Sequence, residues 1–209
     1  MSSDEPICFG TAVVAEASAV VARALARTQH PVVLIDGPSG AGKSTFADDV
    51  VAAWPEPTPR LVRMDDLYPG WDGLEAASAQ VADLLLEPLL TAGTGRWRRW
   101  DWASSEPAEW HEVVVGHPLI IEGCGCLTRR TAPLADLRIW LTAADDVRKR
   151  RALARDAGGF DAHWDGWQAQ WDLFVHRETP EALADVVIDT TTSSRRAATG
   201  AHPRGTVVP

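Results

Sequence analysis

Apolar and polar positions follow two different patterns along the chain. Between residues 12 and 27 the apolar side chains recur three and four positions apart, which predicts an amphipathic helix. Residues 32–36 (VVLID) form an apolar run of strand length instead, typical of a strand buried on both faces of a parallel sheet. Because runs of the second kind alternate with helical segments, the pattern predicts an α/β protein with a mainly parallel sheet and helices on both faces.

These two patterns predict five strands and five helices. The predicted strands are residues 32–36, 60–65, 117–123, 137–141 and 184–189. The predicted helices are residues 12–27, 43–54, 73–93, 145–156 and 161–176. Residues 95–116 carry four tryptophans and are predicted to form a hairpin or an irregular insertion. Residues 1–190 would then form a single domain, and residues 191–209, which show no periodicity, a flexible tail.

Composition narrows the classes of protein that the sequence fits. The chain has 209 residues and a formal net charge of −9, so a surface that grips nucleic acid phosphates is not expected. No apolar run reaches the about 20 residues of a membrane span, and the first residues lack the basic region of a signal peptide. We therefore expect a cytoplasmic protein without a nucleic acid or membrane partner. The sequence leaves a homo-oligomer open.

Three cysteines are too few, and odd in number, for a disulfide framework. They are Cys8, Cys124 and Cys126. A zinc site needs about four ligands, and no second pair or nearby histidine accompanies Cys124 and Cys126. We interpret these two cysteines as small buried residues.

Residues 37–45 indicate a phosphate-binding loop. Gly37, Gly42, Lys43 and Ser44 fit the pattern G-x-x-x-x-G-K-[ST], between a predicted strand and a predicted helix. Glycines allow backbone N–H groups to approach an anion, and the following helix presents its positive end to it. Lys43 would reach the β- and γ-phosphates, and the Ser44 hydroxyl would bind Mg²⁺. The residues expected to hold ATP or GTP are Gly37, Ser39, Gly40, Ala41, Gly42, Lys43, Ser44 and Thr45.

Carboxylates at two other strand ends are candidates for the chemistry. The short chain lacks a guanine-reading NKxD motif, which disfavours a GTPase switch, and a motor would need more domains. A small-molecule kinase needs a base for the acceptor hydroxyl, cations around the phosphoryl group and a lid. Asp65 or Asp66 would be the base, unless it only caps a turn. Glu122 would orient Mg²⁺ or its waters, unless it is merely an acid beside a turn glycine.

The helix predicted at residues 145–156 carries three arginines on one face. Arg148, Arg151 and Arg155 are spaced i, i+3 and i+7. Such a face is either solvated or binds an anion. Beside a phosphate loop, we interpret it as a lid, about residues 148–162, whose arginines clamp the phosphates and the transferring group.

With these motifs assembled, residues 32–190 resemble the uridine kinase-like group of P-loop kinases, which includes phosphoribulokinase and bacterial pantothenate kinase. GPSGAGKST is similar to the phosphate loop of the group, and LIIEG and ADVVID to two of its strands. DDLY resembles the segment that carries the catalytic base, which implies Asp65 rather than Asp66. DDVRKRRALARD resembles the lid helix, with Arg148, Arg151, Arg155 and Asp156 matching. The resemblance implies a P-loop NTPase three-layer αβα sandwich.

The resemblance also implies where the acceptor binds. RRWDW resembles the substrate segment of the group, so Trp100 and Asp101 take its positions, and we expect Tyr68 at the same site. The histidine-serine-arginine stretch of the group is absent, and His111 is the candidate to replace its histidine. The insertion's tryptophans would either form aromatic walls around a planar ring or the core of a small hairpin. Trp164, Trp167 and Trp171, at helical spacing, are expected in the core.

These observations predict an ATP-dependent kinase that phosphorylates a hydroxyl group of a small molecule. Its cofactors would be ATP and Mg²⁺, and its leading acceptor a nucleoside such as uridine or cytidine. Two alternatives stay open. One is a kinase for a nucleoside monophosphate, a sugar or a vitamin precursor; a monophosphate would need an arginine pair, which Arg96, Arg98 and Arg99 could provide. The other is a non-catalytic module that binds ATP.

Overall fold

The computed structural model describes residues 11–155 and 159–192. Its main sheet has five strands in the order β2-β5-β1-β6-β7, and all neighbours run parallel. These strands are β1 (Val32–Asp36), β2 (Arg60–Arg63), β5 (Leu119–Glu122), β6 (Leu137–Thr142) and β7 (Val186–Asp189). The predicted α/β class, the number of strands and their parallel direction are confirmed.

Helices cover both faces of this sheet. They are α1 (Thr11–Leu25), α2 (Lys43–Ala53), α3 (Leu74–Gln80), α4 (Glu87–Ala92), α5 (Asp145–Arg155), α6 (Trp164–Glu178) and α7 (Pro180–Leu183). Along β1, Val33 and Ile35 belong to the core that contains α1 and α2. Val32 and Leu34 belong to the opposite core, which contains α3 and α6. The alternation of β1 between two apolar cores explains its unbroken hydrophobic sequence and produces three layers.

Several boundaries shift by one to three residues, and two predicted elements also change in type. The strand predicted at residues 60–65 ends at Arg63, and Met64–Asp66 forms a 3-10 turn closed by a 2.8 Å hydrogen bond from Leu67 N to Met64 O. The helix predicted at residues 73–93 contains a π-helical segment, Val81–Leu86, between α3 and α4. Pro88 follows this segment at the start of α4, and the N–H group that it lacks cannot continue an α-helical ladder.

The predicted insertion is a hairpin. It consists of β3 (Thr94–Asp101) and β4 (Glu106–Val114), which pair antiparallel in a separate two-stranded sheet with a bulge between Arg98 and Trp100. The hairpin therefore follows α4 and lies outside the hydrogen-bond ladder of the main sheet. Trp97 and Val113 on its inner face are buried in the same core as α3.

The predicted core residues on α6 are confirmed. Trp164, Trp167 and Trp171 are 6%, 5% and 5% exposed, and Trp171 stacks on Trp140 with ring centroids 5.7 Å apart. Cys124 and Cys126 are buried free thiols, as expected. Among the described residues, none of the helices combines the length and apolar character that a bilayer span requires. Cys8, Asp156 and residues 193–209 of the expected tail lie outside the described residues, as do residues 156–158 of the expected lid.

Candidate active site

The loop between β1 and α2 has the conformation that its glycines allow. Gly40 has φ +82°, and a Cβ atom there would lie 1.9 Å from the Arg148 carbonyl oxygen of α5. The loop and the base of α5 therefore touch backbone to backbone. Lys43 and Ser44 begin α2, so the helix N-terminus and the preceding amides face the same space. The remaining residues expected to hold the nucleotide lie in this loop and first turn, namely Gly37, Ser39, Ala41, Gly42 and Thr45.

Lys43 lies inside this loop rather than in solvent. Its ammonium group donates to Pro38 O at 3.0 Å and contacts Cys124 Sγ at 3.3 Å. Burial alone would lower the pKa of Lys43, but Cys124, Glu122 and Asp36 outweigh it, so this pKa lies above its ordinary value. Lys43 is thus a charged, positioned cation at the centre of the loop. Sequence reasoning took Cys124 for a packing residue and missed this contact.

Asp36, the last residue of β1, was also missed. Its carboxylate is fully buried and accepts hydrogen bonds from the backbone N–H groups of Gly37 (2.6 Å), Gly125 (3.0 Å) and Leu127 (2.8 Å). Burial raises the pKa of Asp36 to about 6, against the lowering effect of these N–H groups and of Lys43. Asp36 therefore joins the start of the phosphate loop to the loop that follows β5. A carboxylate ending an otherwise apolar strand was the available signal.

Glu122, the last residue of β5, lies beside Ser44. Glu122 is 2% exposed and pairs with Arg63 at 3.1 Å. Burial and Asp65 raise the pKa of Glu122, whereas Lys43, Arg63 and a hydrogen bond with Ser44 lower it. Arg63, which sequence reasoning missed, also pairs with Asp48 at 2.6 Å. Four functional groups from β2, β5 and α2 thus converge at the carboxyl edge of the sheet, as in other open α/β sheets.

The donor set around Ser44 and Glu122 fits Mg²⁺. A hydroxyl and a carboxylate oxygen are ligands that Mg²⁺ accepts, and this ion usually retains waters and substrate phosphate oxygens as well. No group of three or more His, Cys, Asp or Glu side chains within residues 11–155 and 159–192 could hold a metal alone. The pair therefore fits an ion carried largely by a nucleotide.

Asp65 and Asp66 are adjacent in sequence but face different groups. The Asp65 carboxylate contributes to raising the pKa of Glu122 and of Cys124, whose pKa is raised mainly by burial. It is therefore on the side of the phosphate loop. Asp66 instead influences Arg99 on the hairpin. The sequence alone left Asp65 and Asp66 as alternatives for the base. The structure distinguishes them, because the 3-10 turn rotates consecutive side chains apart.

The tip of the hairpin contacts the turn that holds Asp65. Trp102 Nε1 donates to Asp65 O at 2.8 Å. Trp100, on the same tip, buries its Nε1 atom without a hydrogen-bond partner, and Asp101 accepts from Ala103 N at 3.0 Å. The structure therefore brings the hairpin and the candidate base together. Trp97 belongs to the core beneath the hairpin, as the packing interpretation expected, and the aromatic walls around a planar ring stay a prediction.

Two further residues expected at the acceptor site have packing contacts of their own. Tyr68 is 3% exposed, donates to Cys124 O at 2.8 Å and meets Trp167 edge-on. It therefore supports the site from beneath. His111 stacks on Trp97 with ring centroids 4.2 Å apart, on the inner face of the hairpin.

Two arginines of the expected lid donate hydrogen bonds to other groups of the protein. Arg148 donates to Asp145 (2.8 Å) and Gln168 (2.7 Å). Arg151 donates to the hydroxyl and carbonyl oxygens of Thr190, at 3.2 and 2.9 Å. The Thr190 hydroxyl in turn donates to a carbonyl oxygen of the phosphate loop, at Ala41, 2.8 Å away. Thr190 was missed in the sequence and links the end of β7 to that loop.

Arg155 ends α5. In the segment that begins at residue 159, Phe160 and His163 stack on Trp71, with ring centroids 5.2 and 4.4 Å from that of Trp71. Trp71 also contacts Trp102 of the hairpin tip at 5.0 Å. The segment after α5 therefore meets the hairpin through one indole ring, a junction that the sequence did not predict.

Comparison with known proteins supports the fold. No family model and no curated protein sequence matches the chain. A candidate fructose transport system kinase from Silicibacter sp. TM1040 is 20% identical, with a TM-score of 0.59 over 85% of this chain and 99% of that one. A candidate uridine kinase from Bacillus stearothermophilus is 18% identical, with a TM-score of 0.56 over 84% and 99%. Phosphoribulokinase from Rhodobacter spheroides is 16% identical, with a TM-score of 0.52 over 79% and 73%. The chain therefore has the αβα fold of P-loop kinases, as the resemblance implied.

Proposed function

We propose that this chain is an ATP-dependent phosphotransferase that moves the γ-phosphoryl group of ATP to a hydroxyl group of a small molecule. The observation that carries the proposal is the position of Asp65. Its carboxylate lies close enough to Glu122 and Cys124 to raise the pKa of both, within the group of side chains around Lys43. A carboxylate between a phosphate loop and an open hairpin suits a base for an acceptor alcohol.

Each group of site residues has its own role in the proposed transfer. Lys43 and the loop amides hold the β- and γ-phosphates, and Ser44 and Glu122 would hold Mg²⁺, which when bound neutralises phosphate charge. Asp65 accepts the proton of the acceptor hydroxyl. The oxygen of that hydroxyl forms a bond to the γ-phosphorus, and the bond between the γ-phosphorus and the bridging oxygen that leaves with ADP breaks. Arg151 and Arg155 stabilise the charge of the transferring group, for which Arg151 must exchange its bonds to Thr190 for bonds to phosphate.

A nucleoside of the uridine or cytidine type is the leading acceptor. It is supported by the resemblance in the phosphate loop, the DDLY segment and the RRWDW segment, and one similar structure is named as a candidate uridine kinase. A sugar is the second choice, since another is named as a candidate fructose transport system kinase. A panel of nucleosides, nucleotides and sugars with Mg-ATP, followed by ADP release and product mass, identifies the acceptor.

Asp65→Asn tests the reaction class. The variant should bind Mg-ATP as the parent protein does, yet lose transfer by about 10²–10⁴-fold, because the amide cannot take the proton. Asp72→Asn is the matched control, since Asp72 is an exposed aspartate a few residues further along the same loop. A protein that only binds ATP would show no transfer to any acceptor and no difference between the variants, and that result would refute the proposal.

A further inference from the structure

The arginines of the hairpin are distributed over its two faces. Arg96 and Arg98 lie on the outer face, where their guanidinium carbons are 4.6 and 5.7 Å from the ring centroid of Trp110. Arg98 also donates through Nε to Ala108 O at 3.0 Å. Trp110 is 48% exposed, so this arginine–tryptophan group faces away from the core of the domain. These two arginines therefore cannot form the phosphate-binding pair that a phosphorylated acceptor would need on the inner face.

Arg99 lies near the turn that holds Asp65 and Asp66, where Asp66 influences it, and it is already bound. Its Nε and Nη2 atoms donate to the two carboxylate oxygens of Glu109, at 2.6 and 3.0 Å. This two-point geometry is the one by which arginine also recognises a phosphate or a carboxylate ligand. The hydrogen bonds that Arg99 donates to Glu109 raise the pKa of Arg99, and the charges of Asp101 and Asp66 add to the effect. Three carboxylates therefore surround this single cation.

We infer that the acceptor carries no phosphate or carboxylate group, and that Glu109 is the residue that enforces this specificity. The inference rests on the proposed function. An anionic acceptor would have to displace Glu109 from Arg99 and then approach Asp66 and Asp101, and like charges brought together in a binding site disfavour the complex. An uncharged alcohol meets no such repulsion and can use the carboxylates as hydrogen-bond acceptors for its other hydroxyl groups.

Matched acceptor pairs test the inference by catalysis. Each pair is a nucleoside and its 3′-monophosphate, or a sugar and its phosphate at a remote hydroxyl, so that the acceptor hydroxyl is the same. The parent protein should prefer the unphosphorylated member by at least about tenfold in kcat/KM. Glu109→Gln should move this ratio toward the phosphorylated member by about fivefold, the upper range for a partly exposed ion pair. Glu112→Gln removes the same charge from the outer face of the same strand and should leave the ratio unchanged.

A second measurement does not depend on catalysis. Inorganic phosphate is titrated against the Nε–Hε NMR signal of Arg99, which is identified by its absence in Arg99→Lys. Millimolar phosphate should leave this signal in place in the parent protein and in Glu112→Gln, and shift it in Glu109→Gln, where the guanidinium has lost its charged partner.

The possible outcomes distinguish the proposed function from the acceptor class and from the role of Glu109. Transfer to no acceptor, with Mg-ATP bound, overturns the proposed function and the acceptor class with it. Transfer that favours phosphorylated acceptors overturns the acceptor class alone. Phosphate shifts of the Arg99 signal that are equal in the parent protein and in Glu109→Gln overturn the role of Glu109.

Discussion

Asp36 gives a stability prediction that distinguishes its ionised from its protonated form. The carboxylate is fully buried at the end of β1 and accepts three backbone N–H groups. Replacement by asparagine keeps the shape but removes the charge and turns an NH₂ group toward one of those donors. Asp36→Asn should therefore be less stable than the parent protein at acidic pH, where the parent holds its proton and ionisation does not penalise it.

The magnitude follows from the raised pKa. The pKa of an aspartate in the unfolded chain is 3.8, whereas the pKa of Asp36 in the folded protein is about 6. Between these two values the folded state binds the extra proton, so the free energy of unfolding decreases as the pH rises. The gap, at about 1.4 kcal/mol for each pH unit, amounts to about 3 kcal/mol. The stability deficit of Asp36→Asn should shrink by this amount between about pH 4 and about pH 8.

Urea unfolding followed by tryptophan fluorescence measures this difference at a series of pH values. Asp136→Asn controls for the loss of a carboxylate at the opposite end of β1, where Asp136 accepts a hydrogen bond from Val32 N at 2.8 Å. A constant free-energy difference between the parent protein and Asp36→Asn across the whole pH range would refute the reasoning. It would mean that the three N–H groups and Lys43 cancel the effect of burial.

Two further predictions concern groups around the phosphate loop. Gly40→Ala should lower the free energy of unfolding by about 2–4 kcal/mol in urea titrations, because its methyl group meets the Arg148 carbonyl oxygen. Gly42→Ala has a similar φ but open space, and should lose only about 1–2 kcal/mol; equal losses would show that the clash is relieved. Arg63→Met should lower stability by about 2–3 kcal/mol at pH 8 by removing the salt-bridge partner of the buried Glu122. The loss should be smaller at pH 5, because Arg63 lowers the Glu122 pKa and its removal lets that carboxyl take a proton; a pH-independent loss would contradict this.

Much of the fold could be predicted from periodicity. β1 was predicted with its observed bounds, because a strand between two apolar cores has an unbroken hydrophobic sequence that a loop or surface helix lacks. The 3-10 turn at Met64–Asp66 and the π-helical Val81–Leu86 were not predicted, since both keep the hydrophobic pattern of the element that they extend. Local hydrogen bonding and Pro88 determine them instead.

The candidate site was predictable where a motif or a strand end indicated it. Lys43 and Ser44 were found because their spacing from the glycines is itself the signal. Arg63 and Thr190 belong to no such pattern, and the one signal for Asp36 was its place at the end of an apolar strand. The partners of these residues are distant in sequence, on the loop after β5, on β5 itself and on α5, so only the folded structure reveals the contacts.

The hairpin of β3 and β4 forms a sheet separate from the one that positions Asp65 and Glu122. Neighbouring parallel strands lie about 4.8 Å apart, so the spacing of the phosphate-handling groups is determined by backbone ladders. Lengthening or replacing the hairpin leaves those ladders intact. Under the proposed function, the hairpin sets selectivity and the main sheet the chemistry, so grafting the hairpin of a P-loop kinase of known acceptor, with the contact from Trp102 to Asp65 kept, is a practical route to a new acceptor.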